Sequence, residues 1–148
     1  MTPMRRNAGY TLVEVLIATA IMGLLFAIGL PRLSRLRAPY AMAGATRQIA
    51  ADIQAARQRA ISRNTSYRVN FNAAAKTYRL ERLVGLAWTA DGAVQRLPNG
   101  VNIGTITPGN PVFDSRGLGA GDVTIPLTAT GATSKTVVVN VLGRTTIS

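Results

Sequence analysis

One stretch constrains this chain more than any other: from Tyr10 to Leu30, 21 residues are apolar, glycine or tyrosine apart from Thr11, Glu14 and Thr19. At a rise of about 1.5 Å per residue such a run makes a helix roughly 30 Å long, the thickness of a bilayer's hydrocarbon core. A single membrane-spanning helix is predicted. Arg5 and Arg6 ahead of it favour a cytoplasmic N-terminus, whereas Arg32, Arg35 and Arg37 behind it blunt the charge asymmetry. The competing reading is a secretory signal peptide cut at Ala41-Met42-Ala43. Two features stand against it: the run exceeds the usual ~7–15 residues of a signal core, and Arg32, Arg35 and Arg37 lie between run and cut.

Glu14 is the anomaly within the run. A carboxylate near the middle of a membrane helix costs about 2.5–3.5 kcal/mol, less toward an end, so its presence asks for a partner. The positive end of the helix dipole supplies only about 0.3–1 kcal/mol, which falls short. A full positive charge would do better, and cutting the chain just before Tyr10 would create one as a new α-amino group.

Gly9-Tyr10-Thr11-Leu12-Val13-Glu14, with its basic leader and apolar run, resembles the class III signal of type IV pilins and type II secretion pseudopilins. The resemblance implies that a prepilin peptidase cuts after Gly9 on the cytoplasmic side and N-methylates Tyr10, which stands where the family usually has Phe. It further implies that Glu14 pairs with the N-terminal amine of a neighbouring subunit during filament assembly. Pro31 falls 21 residues after the implied mature start, where pilin-like proteins often carry a proline. A proline removes a helix hydrogen bond, so a kink is expected near Pro31 and a second break at Ala38-Pro39.

Seventeen Lys plus Arg against six Asp plus Glu give a formal net charge of +11. Such a surface attracts polyanions without identifying one. Histidine and cysteine are both absent, so the common catalytic triads, thiolate metal sites and disulfides cannot be built. No enzyme activity, metal or cofactor is expected, and a structural or binding role is favoured.

Beyond Pro39, Met42, Ala45, Ile49, Ile53, Ala56 and Ala60 recur at spacings of three and four and predict an amphipathic helix laid against a sheet and ended by Ser62-Arg63-Asn64. From Thr65 the texture becomes β. Tyr67, Val69 and Phe71 alternate with Arg68 and Asn70, and Tyr78 and Leu80 follow a short Asn72 to Lys76 loop, which predicts a hairpin. Further strands are expected near Val101 to Ile106, Val112 to Phe113, Val123 to Leu127 and Lys135 to Leu142, with Val84 to Pro98 as a long loop. The expected organisation is a leader (1–9), a transmembrane or filament-core helix (10–30), an amphipathic helix (31–64) and a periplasmic β domain (65–148). The fold class is α+β: a long N-terminal helix, membrane-spanning in its first half, packed on a C-terminal antiparallel β domain.

Phe113-Asp114-Ser115-Arg116-Gly117 and Val137-Val138-Val139-Asn140-Val141-Leu142-Gly143-Arg144 resemble the C-terminal β domain of the GspH/FimT family. That family unites the minor pseudopilin H of type II secretion with FimT-like and FimU-like minor type IV pilins. The resemblance implies a structural subunit of a filament anchored in the bacterial inner membrane, with the prepilin peptidase and other pseudopilins or pilins as partners. The alternative is a minor type IV pilin acting in pilus assembly or DNA uptake. FimT-like DNA binders carry Gly-Arg-x-Arg, and here the run is Gly143-Arg144-Thr145-Thr146. Arg144 is therefore a candidate polyanion contact without the second arginine.

Overall fold

The computed structural model describes residues 10–148, with residues 30–36 described by their backbone alone. Gly9 and the rest of the expected leader lie outside the described residues. Helix α1 spans Leu12–Ser62, and the chain divides into two compact units, Met1–Leu36 and Arg37–Ser148. The first unit contributes one helix whose Leu12–Gly29 stretch has a mean hydropathy of 2.3, long and apolar enough to cross a membrane.

In the second unit α1 continues through Pro39, so the break expected at Ala38-Pro39 does not occur. Proline costs a helix one hydrogen bond, but here Met42 and Ala45, buried one turn later, hold the turn in place. The whole predicted stripe, Met42, Ala45, Ile49, Ile53, Ala56 and Ala60, is buried. Asn64 ends the helix in the left-handed region at φ 49. The Asn64 and Thr65 N–H groups reach back to the carbonyls of Ile61 and Ala60, the Schellman pattern that satisfies a helix's last acceptors.

Two antiparallel sheets pack on this stripe and share one core with it. The first contains β1 (Tyr67–Asn72), β2 (Thr77–Val84), β3 (Ala87–Ala90), β4 (Gln95–Arg96) and β6 (Val112–Phe113), in the order β3-β2-β1-β6, with β4 also on β2. The second contains β5 (Val101–Ile103), β7 (Val123–Ala129), β8 (Lys135–Val139) and β9 (Thr145–Ile147), in the order β5-β7-β8-β9. The β1–β2 hairpin has the register Val69↔Leu80 and Phe71↔Tyr78, and the Phe71 and Tyr78 rings lie 5.3 Å apart. Its inward residues Tyr67, Val69, Tyr78 and Leu80 are buried, as are Val101, Ile125, Leu127, Val137 and Val139 of the second sheet.

Two expectations are corrected. Val84 to Pro98 is not one loop: Gly85, at φ +62, turns the chain so that Leu83 faces Trp88 and Val84 faces Ala87, and Gln95 and Arg96 pair with Tyr78 and Thr77. The strand expected to run to Leu142, β8, stops at Val139, because Gly143 N–H bonds the Asn140 carbonyl. The chain thereby reverses, and β9 pairs back onto β8.

Candidate functional site

Thr11 caps α1. Its hydroxyl accepts the Glu14 N–H at 3.2 Å and its carbonyl accepts the Val15 N–H at 3.2 Å, which makes Glu14 the third residue of the first turn. The spacing Thr11-x-x-Glu14 is that of a capping box, a signal available in the sequence. The Thr19 hydroxyl donates to the Leu16 carbonyl at 2.9 Å, so this second polar group of the run is satisfied within the helix. Glu14 differs. It shares a shallow groove with Tyr10, Val15, Ala18, Thr19 and Met22, and among the described residues it has no ion-pair partner. Tyr10 is 83% exposed, and the large apolar side chains from Leu12 to Ile28 are likewise exposed. Secondary structure runs on through Pro31, which therefore does not end the helix.

At the other end of α1, the second unit holds two of its glycine turns with side chains that lie outside the buried stripe. Arg57 Nε donates to the Gly117 carbonyl at 2.9 Å. Gln54 Nε2 donates to the Gly143 carbonyl at 2.9 Å and to Thr145 Oγ1 at 2.6 Å. Gly117 and Gly143 sit at φ +78 and +74, and a Cβ on Gly117 would lie 2.6 Å from Ile61 Cδ1. Asp114 shapes the first turn by accepting the Arg116 and Leu118 N–H groups at 2.9 Å each. Asn140 shapes the second by accepting the Arg144 N–H at 2.8 Å. The two stretches singled out in the sequence thus meet on one face of α1. Arg144 itself is exposed, and its side chain makes no hydrogen bond or ion pair among the described residues.

Two acids lock the first sheet. Asp91, just after β3, bonds Arg63 at 2.8 Å and Arg59 at 3.4 Å near the end of α1 and accepts the Tyr67 hydroxyl of β1 at 3.0 Å. Glu81, 1% exposed, accepts from Arg68 Nε and Arg79 Nε at 2.7 Å each and from Asn70 Nδ2 at 3.1 Å. Burial pushes the Glu81 carboxyl up, but the hydrogen bonds from Asn70, Arg68 and Arg79 outweigh it and hold the group below its ordinary value. Asp91 is held low in the same way, with burial opposed by Arg63 and Tyr67. A carboxyl depressed in the folded state stabilises above its unfolded pKa, and that stability is lost as pH falls through the folded value. Thermal melts of the detergent-solubilised chain, followed by circular dichroism, should therefore show a Tm that drops below about pH 4. A Tm that rose on acidification would contradict this assignment.

The prokaryotic N-terminal methylation motif matches residues 4–30, and the family described as type II transport protein GspH matches residues 45–143. The chain belongs to the GspH family. No curated protein matches it. Among solved structures, the minor pseudopilin EpsH of the type 2 secretion system of Vibrio cholerae superposes with a TM-score of 0.62 at 12% identity, covering 72% of this chain and 95% of EpsH. The type IV minor pilin FimU of Pseudomonas aeruginosa gives 0.61 at 14% identity, covering 72% of this chain and 87% of FimU. At these identities the likeness is one of fold. The GspH match begins at Ala45 in the buried stripe and ends at Gly143, so it contains Gly117, Gly143, α1's packed face apart from Met42, and all but the last strand.

Proposed function

We propose that this GspH-family chain works as a minor pseudopilin, a non-enzymatic structural subunit of the type II secretion pseudopilus. The observation that carries this reading is Glu14: a carboxylate with no ion-pair partner among the described residues, on an exposed apolar helix face, five residues after Gly9, within a matched methylation motif. The prepilin peptidase removes residues 1–9 and methylates Tyr10. The mature helix enters the inner membrane with the β domain in the periplasm, Pro31 kinks it on leaving the filament core, and Glu14 meets a neighbour's amine.

Intact-mass analysis of protein made in a host with its prepilin peptidase should show a chain beginning at methylated Tyr10. Gly9→Val should leave the precursor whole, because the family's peptidase requires a small residue there. A mature chain starting near Tyr40 to Gly44 would instead establish a secretory signal peptide.

A second reading, a minor type IV pilin that contacts DNA, is favoured by the FimU-like fold and by the exposed Arg144. The basic surface alone should give weak binding to duplex DNA that falls steeply with salt and declines only modestly in Arg144→Ala, since each arginine is one phosphate contact among many. Binding in fluorescence anisotropy that survives physiological salt and collapses on Arg144→Ala would make DNA uptake the function.

A further inference from the structure

The outer face of the first sheet carries a polar pocket. Cross-strand partners share a face in an antiparallel sheet, so the register Arg68↔Glu81, Asn70↔Arg79 and Asn72↔Thr77 puts these six residues together, on the side away from the buried Tyr78 and Leu80. Arg96 joins them opposite Thr77. A pocket of about 250 Å³ opens there, lined by Asn70, Asn72, Thr77, Tyr78, Arg79 and Val94.

The polar groups of this pocket are rich in unused donors. Arg79 gives only its Nε to Glu81, and among the described residues its two terminal nitrogens make no hydrogen bond. The Asn72 Nδ2 and the Thr77 hydroxyl are equally free, while Asn72 Oδ1 is taken by the Ala75 N–H at 2.9 Å. Asn70 has spent its oxygen on Asn110 Nδ2 at 3.0 Å and its nitrogen on Glu81 at 3.1 Å. The Glu81 carboxylate is saturated by two arginines and Asn70, so it orients Arg79 without competing for its outer edge. Donors without acceptors beside a fixed guanidinium make a receptor for an oxyanion, and a planar guanidinium edge matches a carboxylate.

We propose that this pocket binds a carboxylate, held by the outer nitrogens of Arg79 with the Asn72 amide and the Thr77 hydroxyl. The carboxylate is either an acidic side chain of a partner protein or that of a small organic acid. Trp88 reports on occupancy. It is the chain's only tryptophan, and its ring lies 4.5 Å from the Arg68 guanidinium, which bonds Glu81, which bonds Arg79.

The test is a titration of the full chain in neutral detergent, followed by tryptophan fluorescence. The probes are a hexaglutamate peptide and D-glucuronate, with D-glucose and sodium chloride of matched ionic strength as controls. A saturable change with hexaglutamate alone identifies a protein-borne carboxylate, and one with both acids identifies a general carboxylate site. Arg79→Gln should weaken binding about tenfold or more. Thr77→Val, which keeps the side chain's shape, should weaken it less, and Lys135→Gln on the other sheet should leave it unchanged. The proposal is overturned by the absence of a saturable change, by an equal response to sodium chloride or glucose, or by full binding in both Arg79→Gln and Thr77→Val. This result is independent of the pseudopilin reading, which leader cleavage tests separately.

Discussion

Gly143→Val is expected to destabilise the second unit strongly. Gly143 occupies φ +74, where a side chain costs roughly 1–2 kcal/mol and a β-branched one is an outlier. The new Cβ would also fall on Arg57 Nε, with Arg57 Cδ at 2.6 Å and the Gly117 carbonyl oxygen at 2.9 Å. Arg57 cannot swing aside freely, because its Nε is bonded to that same carbonyl. Forced overpacking adds about 1–3 kcal/mol. The total, about 2–5 kcal/mol, is a large fraction of a domain's typical net stability of about 5–15 kcal/mol. Chemical denaturation of the full chain in detergent, followed by circular dichroism and limited proteolysis, should show the midpoint fall or the transition vanish. Gly121→Ala is the matched control, since nothing lies within 4 Å of a Cβ there and its φ is ordinary. An unchanged midpoint for Gly143→Val would mean that the two glycine turns are not held against α1 as described.

The features legible in the sequence were those with a repeating physical signature. The stripe from Met42 to Ala60 announces itself by spacing, and the β1–β2 hairpin by alternation around a short loop. Strands β3 and β4 have neither signature. Ala87–Ala90 is mostly exposed and Gln95 and Arg96 are both exposed, and both strands depend on the backbone of β2 rather than on apolar faces of their own. β9 was hidden because Val141 and Leu142 continue the β-branched and apolar texture of β8, so the reversal at Asn140–Gly143 reads as more strand. Gln54 and Arg57 escaped because the Gly143 and Gly117 carbonyls they bond leave no mark in a sequence, and the Thr145 hydroxyl that Gln54 also bonds lies 91 residues away. The glycines at 117 and 143 were the available signal, since each marks a turn pressed against a neighbour. Glu81 was recoverable in principle. Once the hairpin is registered, the only acid of its two strands falls opposite Arg68.

Glu14→Leu is expected to separate processing from assembly. Removing the carboxylate makes the run more apolar and so favours insertion by about 2.5–3.5 kcal/mol at most. The Thr11 cap survives, because its hydroxyl accepts the backbone N–H of residue 14 rather than the carboxylate. The helix should therefore form, enter the membrane and be cut at Gly9. What disappears is the one group on this apolar face that can draw in a charged partner. In hydrocarbon, where the apolar side chains of Leu12 to Gly29 gain little from meeting another helix over meeting lipid, that attraction would set register in the proposed assembly. Buried charge pairs of this kind couple by several kcal/mol, and removing one partner leaves the other uncompensated. Crosslinking in membranes between this chain and co-expressed pilin-like subunits should fall to background in Glu14→Leu while the leader is still removed. Glu14→Asp, which keeps the charge on a shorter side chain, should recover part of the yield. Undiminished crosslinking in Glu14→Leu would show that the apolar faces alone drive association, and Glu14 would then be a residue of the helix cap rather than of the filament.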